Sequence, residues 1–232
     1  MQIDFSNLSQ YSVIAYCQIL LQRMRPFMSF RGGIAEEYYD ALTSILATAA
    51  RKEDLSGDDI DVIKSVARGD ISSALPSTLS TPDYTWSEIE AIGFVHDTAR
   101  IAQIVALLFQ RGIFYNQDYY QSTSDATVIT EIFEQFRNWV ALSILKANCQ
   151  PEQQCGNIGT VLMFITQRTT DIVNAFAMHS NQPIPDMELE CTTLCNNLAN
   201  ISPLHSKSLV DVSKLDVWHF EVPGWISHPY GF

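Results

Sequence analysis

Apolar residues recur every three or four positions along most of the 232-residue chain, and strict alternation is nearly absent. Such spacing places apolar side chains on one face of a helix, whereas a half-buried strand needs alternation. The pattern predicts helices over about 11–24, 34–50, 57–68, 85–111, 124–147, 157–179 and 187–199. Most connections between them are short, which favours antiparallel neighbours. The predicted fold is therefore all-α, a single-domain antiparallel bundle of six to seven helices.

Several predicted helix ends carry capping residues. Ser56 stands as the N-cap of the third helix, and Thr85 and Glu88 have the spacing of a capping box at the start of the fourth. Gly112 is placed to terminate that fourth helix in the left-handed conformation. Pro26 is predicted to stop the first helix, because a proline disfavours helical geometry at the residue before it.

The C-terminal residues break the helical period. Residues 1–199 are predicted to form the bundle, and residues 200–232 an extended C-terminal arm of the same domain. This arm is rich in aromatic side chains, which carry much of the contact energy at protein interfaces. It is expected either to wrap back over the bundle or to pack on a partner or a second copy. The aromatic and polar loop 114–121 is expected to serve the same surface.

Acidic residues outnumber basic ones by 26 to 14, which gives a formal net charge of −12. The excess is spread along the chain, with no separate acidic tail. A surface of this sign repels nucleic acid and anionic membranes, because binding phosphates needs clustered Lys and Arg. It attracts basic proteins, and a basic protein is therefore the expected partner.

The stretch "MQIDFSNLSQ" has no basic region of the kind that opens a secretory signal. The longest strongly apolar stretch, "IAQIVALLF", is about half as long as a membrane-spanning helix needs. The chain is therefore expected to be cytoplasmic and to have no membrane partner. Its five cysteines are then expected to be reduced thiols.

Adjacent His96 and Asp97 look like the pair of metal ligands that one class of helical phosphohydrolases supplies. Such a site needs a further histidine well upstream, and the other four histidines all follow residue 96. Asp97 also precedes Arg100 by three residues, the spacing of an ion pair on a helix surface. We interpret the pair as part of a polar helix face.

Other patterns that could support chemistry are incomplete. Cys149, Cys155, Cys191 and Cys195 lack the two-residue spacing of zinc knuckles and are interpreted as core residues. The acidic stretch 54–61 lacks the glycine and the bidentate glutamate of a calcium loop. No Glu-x-x-His pair, nucleophile elbow or glycine-rich nucleotide loop occurs. The sequence therefore predicts no catalytic residue, no metal and no cofactor.

The motif "QRMRP" at 22–26 closes an apolar helix, and "ALP" at 74–76 precedes a helix with an Ala/Ile/Leu stripe. In these features the first 110 residues resemble the YjaG-like family of bacterial helical proteins. The loop 76–85 is longer than in that family, and the half after Gly112 shows no match. The resemblance implies a bacterial, helical, cytoplasmic protein and supplies no catalytic residue.

These observations favour a non-catalytic acidic binding protein, and in a bacterium an immunity protein that inhibits a basic toxin. Two alternatives stay open: an enzyme or small-ligand-binding protein whose site assembles from scattered residues, and a structural protein that self-assembles, a homodimer included. The predicted partner-binding residues lie in the acidic turn and among the aromatics: Asp54, Asp58, Asp59, Asp61, Tyr115, Tyr119, Tyr120, Trp218, Trp225 and Tyr230.

Overall fold

A computed structural model describes residues 3–28, 33–51, 55–68, 97–106, 108, 158–179 and 182–219. Six helices occupy these ranges: α1 (Gln10–Met28), α2 (Gly33–Ala50), α3 (Gly57–Arg68), α4 (97–106), α5 (Ile158–His179) and α6 (Met187–Ile201). A 3-10 turn follows α6 at Val212–Lys214. Within the described residues, the only β-type pairing is one isolated antiparallel bridge between Leu8 and Pro203. The described part of the chain is all-α, as predicted.

Helix α1 lies at the centre of the described core. It packs on α2, α5, α6 and the 3-10 turn, while α2 also packs on α3. Because α1 has neighbours on several sides, it is buried nearly all round. Its predicted apolar side is buried in full: Val13, Ile14, Cys17, Leu20, Leu21 and Met24.

The predicted end of the first helix is wrong. The helix continues through Pro26 to Met28. A proline removes one backbone hydrogen bond and biases the preceding residue without forbidding helical geometry. That preceding residue, Arg25, is tied to α2 by an ion pair with Asp40, 3.1 Å from nitrogen to oxygen.

The start of α3 shows the capping that the sequence predicts. The Ser56 hydroxyl accepts the backbone N–H of Asp59 at 3.1 Å, and the Asp59 carboxylate accepts the backbone N–H of Ser56 at 2.9 Å. This reciprocal pair satisfies two backbone donors that the first helical turn leaves open. The predicted capping box at 85–88, the terminator at 112 and the helix over 124–147 lie outside the described residues.

Helices α1 and α6 run antiparallel. At one end, the Ser12 hydroxyl donates to the carbonyl oxygens of Leu198 and Ser202, both at 2.9 Å, and the Ser9 and Ser202 hydroxyls lie 2.6 Å apart. At the other end, the guanidinium of Arg23 donates to both carboxylate oxygens of Glu190. The start of α1 is thus joined to the end of α6, and the end of α1 to the start of α6.

After α6 the chain turns back onto the helices. The backbone N–H of Leu204 donates to the Asn7 carbonyl at 2.8 Å, and that of Val210 donates to the Ala50 carbonyl at 3.1 Å. Trp218 is half-buried and packs against the hydrophobic core. The segment after α6 therefore contacts the rest of the described chain at Leu204, Val210 and Trp218, and residues 220–232 lie outside the described ranges.

The helices described here include none with enough length and apolar character to span a bilayer.

Candidate functional site

A polar cavity of about 460 Å³ opens between α1, α2 and residues 211–219. Three separate parts of the chain build it, so its residues are scattered in the sequence. The lining residues are Gln18, Gln22 and Arg25 of α1, Tyr39, Asp40, Thr43 and Ala47 of α2, Arg51, and Asp211, Val212, Ser213, Leu215 and His219 of the C-terminal segment.

The two helices contribute these side chains because of helical spacing. Gln18, Gln22 and Arg25 are separated by four and three residues, which places them on one face of α1. Asp40, Thr43 and Ala47 of α2 follow the same rule, and Arg51 continues the row beyond the end of the helix. The α1–α2 contact therefore has a polar border, although its centre is apolar.

The wall of the cavity carries charges of both signs. Arg25 and Asp40 form an ion pair at 3.1 Å, and the Arg25 guanidinium carbon lies 5.9 Å from the centre of the Tyr39 ring. The Asp211 carboxylate accepts from the Ser213 hydroxyl at 2.7 Å and the Ser213 backbone N–H at 3.2 Å. The Ser213 hydrogen bonds lower the pKa of Asp211, so this carboxylate is ionised at neutral pH.

Among the lining residues, Oε1 of Gln18 is buried without a hydrogen-bond partner in the described part of the chain, whereas the Tyr39 hydroxyl interacts with the Thr43 side chain and the Arg25 backbone. Gln18 is 7% exposed and Tyr39 is 1% exposed. Leaving such a group unsatisfied costs about 1–3 kcal/mol, and an orphan of this kind calls for an explanation. Burial raises the pKa of Tyr39, so its side chain is a neutral phenol.

A separate buried cluster joins α1 and α6 and is already internally bonded. Besides its pair with Glu190, Arg23 donates to the Cys191 sulfur at 3.3 Å. Burial raises the pKa of Cys191, and it raises those of Cys17 and Cys195 to about 12. All three thiols are therefore protonated at neutral pH, the opposite of what a nucleophilic cysteine needs. They are buried in the core, as predicted, whereas Cys149 and Cys155 lie outside the described residues.

Asp97 is not on the helix surface, and that part of the sequence interpretation is wrong. Its ion pair with Arg100 exists, at 2.9 Å, but the Asp97 side chain is buried in the core. A second cation explains how the carboxylate can be buried: Nε of Arg168 on α5 lies 3.2 Å from the other carboxylate oxygen. The approach of Arg168 makes an ion pair without hydrogen-bond geometry. His96 lies outside the described residues.

Burial raises the pKa of Asp97 from 3.8 to about 6, although Arg168 and Arg100 act in the opposite direction. The cost of removing the carboxylate from water therefore exceeds the attraction of two cations. The two arginines nevertheless give the buried Asp97 carboxylate a cationic neighbour at each of its oxygens. Among all described His, Cys, Asp and Glu residues, no three lie close enough to hold a metal ion.

Four of the predicted partner-binding residues fall in described parts of the chain. Asp58 and Asp61 are exposed on α3, where Asp61 lies 3.5 Å from Lys64. Asp59 is half-buried and caps the helix, and Trp218 packs against the core. The remaining predicted residues lie outside the described ranges: Asp54, Tyr115, Tyr119, Tyr120, Trp225 and Tyr230. The structure does not bring Asp58 or Asp61 into the cavity.

Sequence reasoning missed the cavity residues. The available signal was the polar row Gln18, Gln22 and Arg25 on a helix whose other positions are mostly apolar. A polar row of this kind, facing a second row on the next helix, indicates a polar cavity at the helix contact. Tyr39 offered no such signal, because a tyrosine at a buried helical position is ordinary core.

No family model matches the chain, and the searches of the curated proteins and of the solved structures found no match to it. The resemblance of residues 1–110 to the YjaG-like family therefore stays a prediction.

Proposed function

We propose that this chain is a non-catalytic binding protein that captures a basic protein partner. In a bacterial cytoplasm, such a protein acts as an immunity protein that occupies the cationic active site of a toxin. The observation that carries the proposal is a formal charge of −12 combined with buried ionic groups that already have partners.

The pairing of the interior charges supports this proposal. Within the described residues, buried Arg23 is matched by Glu190, and buried Asp97 by Arg100 and Arg168. The charges in these clusters are matched mainly by each other. The excess carboxylates then lie at the surface, where their negative electrostatic field attracts positively charged molecules.

The exposed side of α6 illustrates the kind of surface that would meet such a partner. Helix α6 contains no Lys or Arg, and Asp186 and Glu188 are exposed at its start. Leu189, next to Glu188, is 63% exposed. An apolar anchor beside carboxylates suits a partner surface that combines basic and apolar groups.

Electrostatic attraction would act mainly on the rate of association. Opposite charges steer the encounter and raise the association rate constant, and salt weakens this steering. Apolar contacts such as that of Leu189 would act mainly on the dissociation rate, because they form only after docking. The proposal therefore assigns different kinetic effects to the carboxylates and to the leucine.

Binding kinetics against defined basic proteins test this function. The probes are the purified products of the two neighbouring genes and a panel of basic bacterial nuclease domains. We expect one probe to bind tightly at low salt, with an association rate constant that falls about tenfold or more at physiological salt and above. Absence of binding by every probe at low salt contradicts the proposal, as does an association rate that salt does not change.

A matched pair of variants separates the leucine contact from a general effect of truncation. Leu189→Ala is expected to speed dissociation of the bound probe. Met178→Ala, which shortens a side chain that is 76% exposed on α5, is the control and should leave dissociation unchanged. Equal effects of the two substitutions would remove α6 from the proposed interface.

A further inference from the structure

We infer that the exposed side of α6 binds a second copy of this chain, with the two α6 helices antiparallel. The surface comprises the exposed residues of α6 and of the segment 202–209 that follows it. The inference goes beyond the proposed function and does not rest on it, because it concerns the chain alone. The two are nevertheless linked, since a copy seated on α6 covers the leucine that is proposed to meet a basic partner.

Exposed apolar side chains are concentrated at this surface. Five large apolar residues are exposed in the described part of the chain, and four of them belong to α6 or to the segment after it. Leu189, Ile201, Leu204 and Leu209 are 63%, 41%, 50% and 51% exposed. Single exposed apolar residues need no explanation, whereas several along one short stretch of chain indicate a surface that another molecule covers.

Between its two ends, the exposed side of α6 carries no charge. Thr193, Asn196 and Asn200 are exposed, and their spacing of three and four residues places them in one row with Leu189. Residues 191–206 contain no Asp, Glu, Lys or Arg. In a chain of net charge −12, two copies can therefore approach here without placing carboxylates opposite one another.

The two ends of the surface differ in charge, which favours a second copy in the antiparallel orientation. Asp186 and Glu188 are exposed at the start of α6, and Lys207 is exposed shortly after its end. Within the described residues, Lys207 makes no ion pair. A two-fold axis near the middle of the helix repeats each contact twice, so the acidic end of each copy meets Lys207 of the other. The same axis brings Leu189 toward Ile201 of the other copy.

A basic partner fits the whole surface less well than a second copy does. It would match the carboxylates at the start of α6 but would place its own positive charges opposite Lys207. A second copy supplies a carboxylate for the lysine and a lysine for the carboxylates. The complete surface is therefore complementary to itself, whereas its acidic end alone is complementary to a basic protein.

The size of the surface sets the expected strength of this contact. The 15 residues of α6 extend over about 22 Å. A contact made by one helix and a short segment lies at or below the low end of the roughly 1,200–2,000 Å² that stable interfaces bury. We therefore expect a reversible dimer with a Kd of about 10–100 µM.

Sedimentation of the full chain tests the inference. The chain is centrifuged at about 2–300 µM and about 0.15 M NaCl, with a reducing agent that excludes disulfide cross-links. We expect the mass to rise from that of one chain to that of two across this range. Asn196→Arg places two guanidinium groups near the two-fold axis and should weaken the dimer at least tenfold. Ser44→Arg adds the same charge at an exposed position of α2 and should leave the dimer unchanged.

Charge reversal tests the antiparallel arrangement. Glu188→Lys places a lysine opposite Lys207 of the other copy, and Lys207→Glu places a glutamate opposite Glu188, so each variant alone should associate more weakly. In an equal mixture of the two variants, every contact between unlike copies again joins opposite charges. We therefore expect the mixture to associate more tightly than either variant alone, which a charge effect within one copy would not produce.

Four results would overturn the inference. If the mass is that of one chain at every concentration, α6 does not join two copies, and an effect of Leu189→Ala on release of a basic probe then assigns the surface to that partner alone. A dimer that withstands Asn196→Arg, or that Ser44→Arg weakens equally, lies on another surface. Failure of the mixed charge variants to associate more tightly contradicts the antiparallel arrangement. Binding of a basic probe by the dilute monomer is a separate measurement, so the proposed function can fail while this inference holds.

Discussion

Asp97 is a carboxylic acid that the fold holds out of water between two arginines. Its pKa of about 6, against 3.8 in an unfolded chain, means that the folded state binds the proton more tightly. Between these two values only the folded state is protonated at this position. The free energy of unfolding that Asp97 contributes is therefore full below about pH 4 and falls as pH rises to about 6.

Substitution Asp97→Asn tests this linkage. Because the variant cannot ionise at residue 97, its pH dependence lacks this contribution. The unfolding free energy of the unaltered chain minus that of the variant should fall by about 2 kcal/mol between pH 4 and pH 7. Urea denaturation at several pH values measures it, and Asp216→Asn, at an exposed carboxylate, controls for the loss of one charge. A difference that rises with pH would mean that Arg100 and Arg168 outweigh the burial of Asp97.

At the scale of elements, the described contacts between α1 and α6 include a buried ion pair whose two residues are far apart in sequence. Arg23 is almost fully buried, and Glu190 is its carboxylate partner. Glu190→Ala would leave a buried guanidinium without its counter-charge, which costs about 3–5 kcal/mol. Removing both groups with Arg23→Met and Glu190→Ala should cost clearly less than the sum of the single substitutions, because the unpaired charge is gone.

A double-mutant cycle from urea denaturation measures this coupling. The matched control is the exposed pair of Arg25 and Asp40, in which Arg25→Met and Asp40→Ala are combined in the same way. Exposed ion pairs contribute about 0–1 kcal/mol, so the coupling in the control cycle should be small. Equal coupling in the two cycles would show that burial does not strengthen the Arg23–Glu190 pair.

At the scale of the whole molecule, local sequence patterns predicted where the helices lie in the chain more accurately than they predicted the contacts between helices. The capping at Ser56 and the bounds of α5 follow from the residues nearby, because caps and helical period act within a few positions. The Arg23–Glu190 pair joins residues 167 apart, and the burial of Asp97 depends on Arg168 from another helix. The cavity likewise requires three parts of the chain to meet. Such arrangements depend on tertiary packing, which the spacing of residues within one helix does not determine.

The net charge of −12 has a consequence for the stability of the whole chain. Like charges on a compact surface repel one another, and salt screens that repulsion. Raising NaCl from about 0.02 to about 0.3 M at pH 7.5 should therefore raise Tm by about 2–5 °C in thermal unfolding. Near the isoelectric point, about pH 4.7, the net repulsion vanishes and the same change in salt should have little effect. A fall in Tm with salt at pH 7.5 would mean that attractive ion pairs outweigh the excess of carboxylates, and the surface would then lack the field that the proposed capture of a basic partner requires.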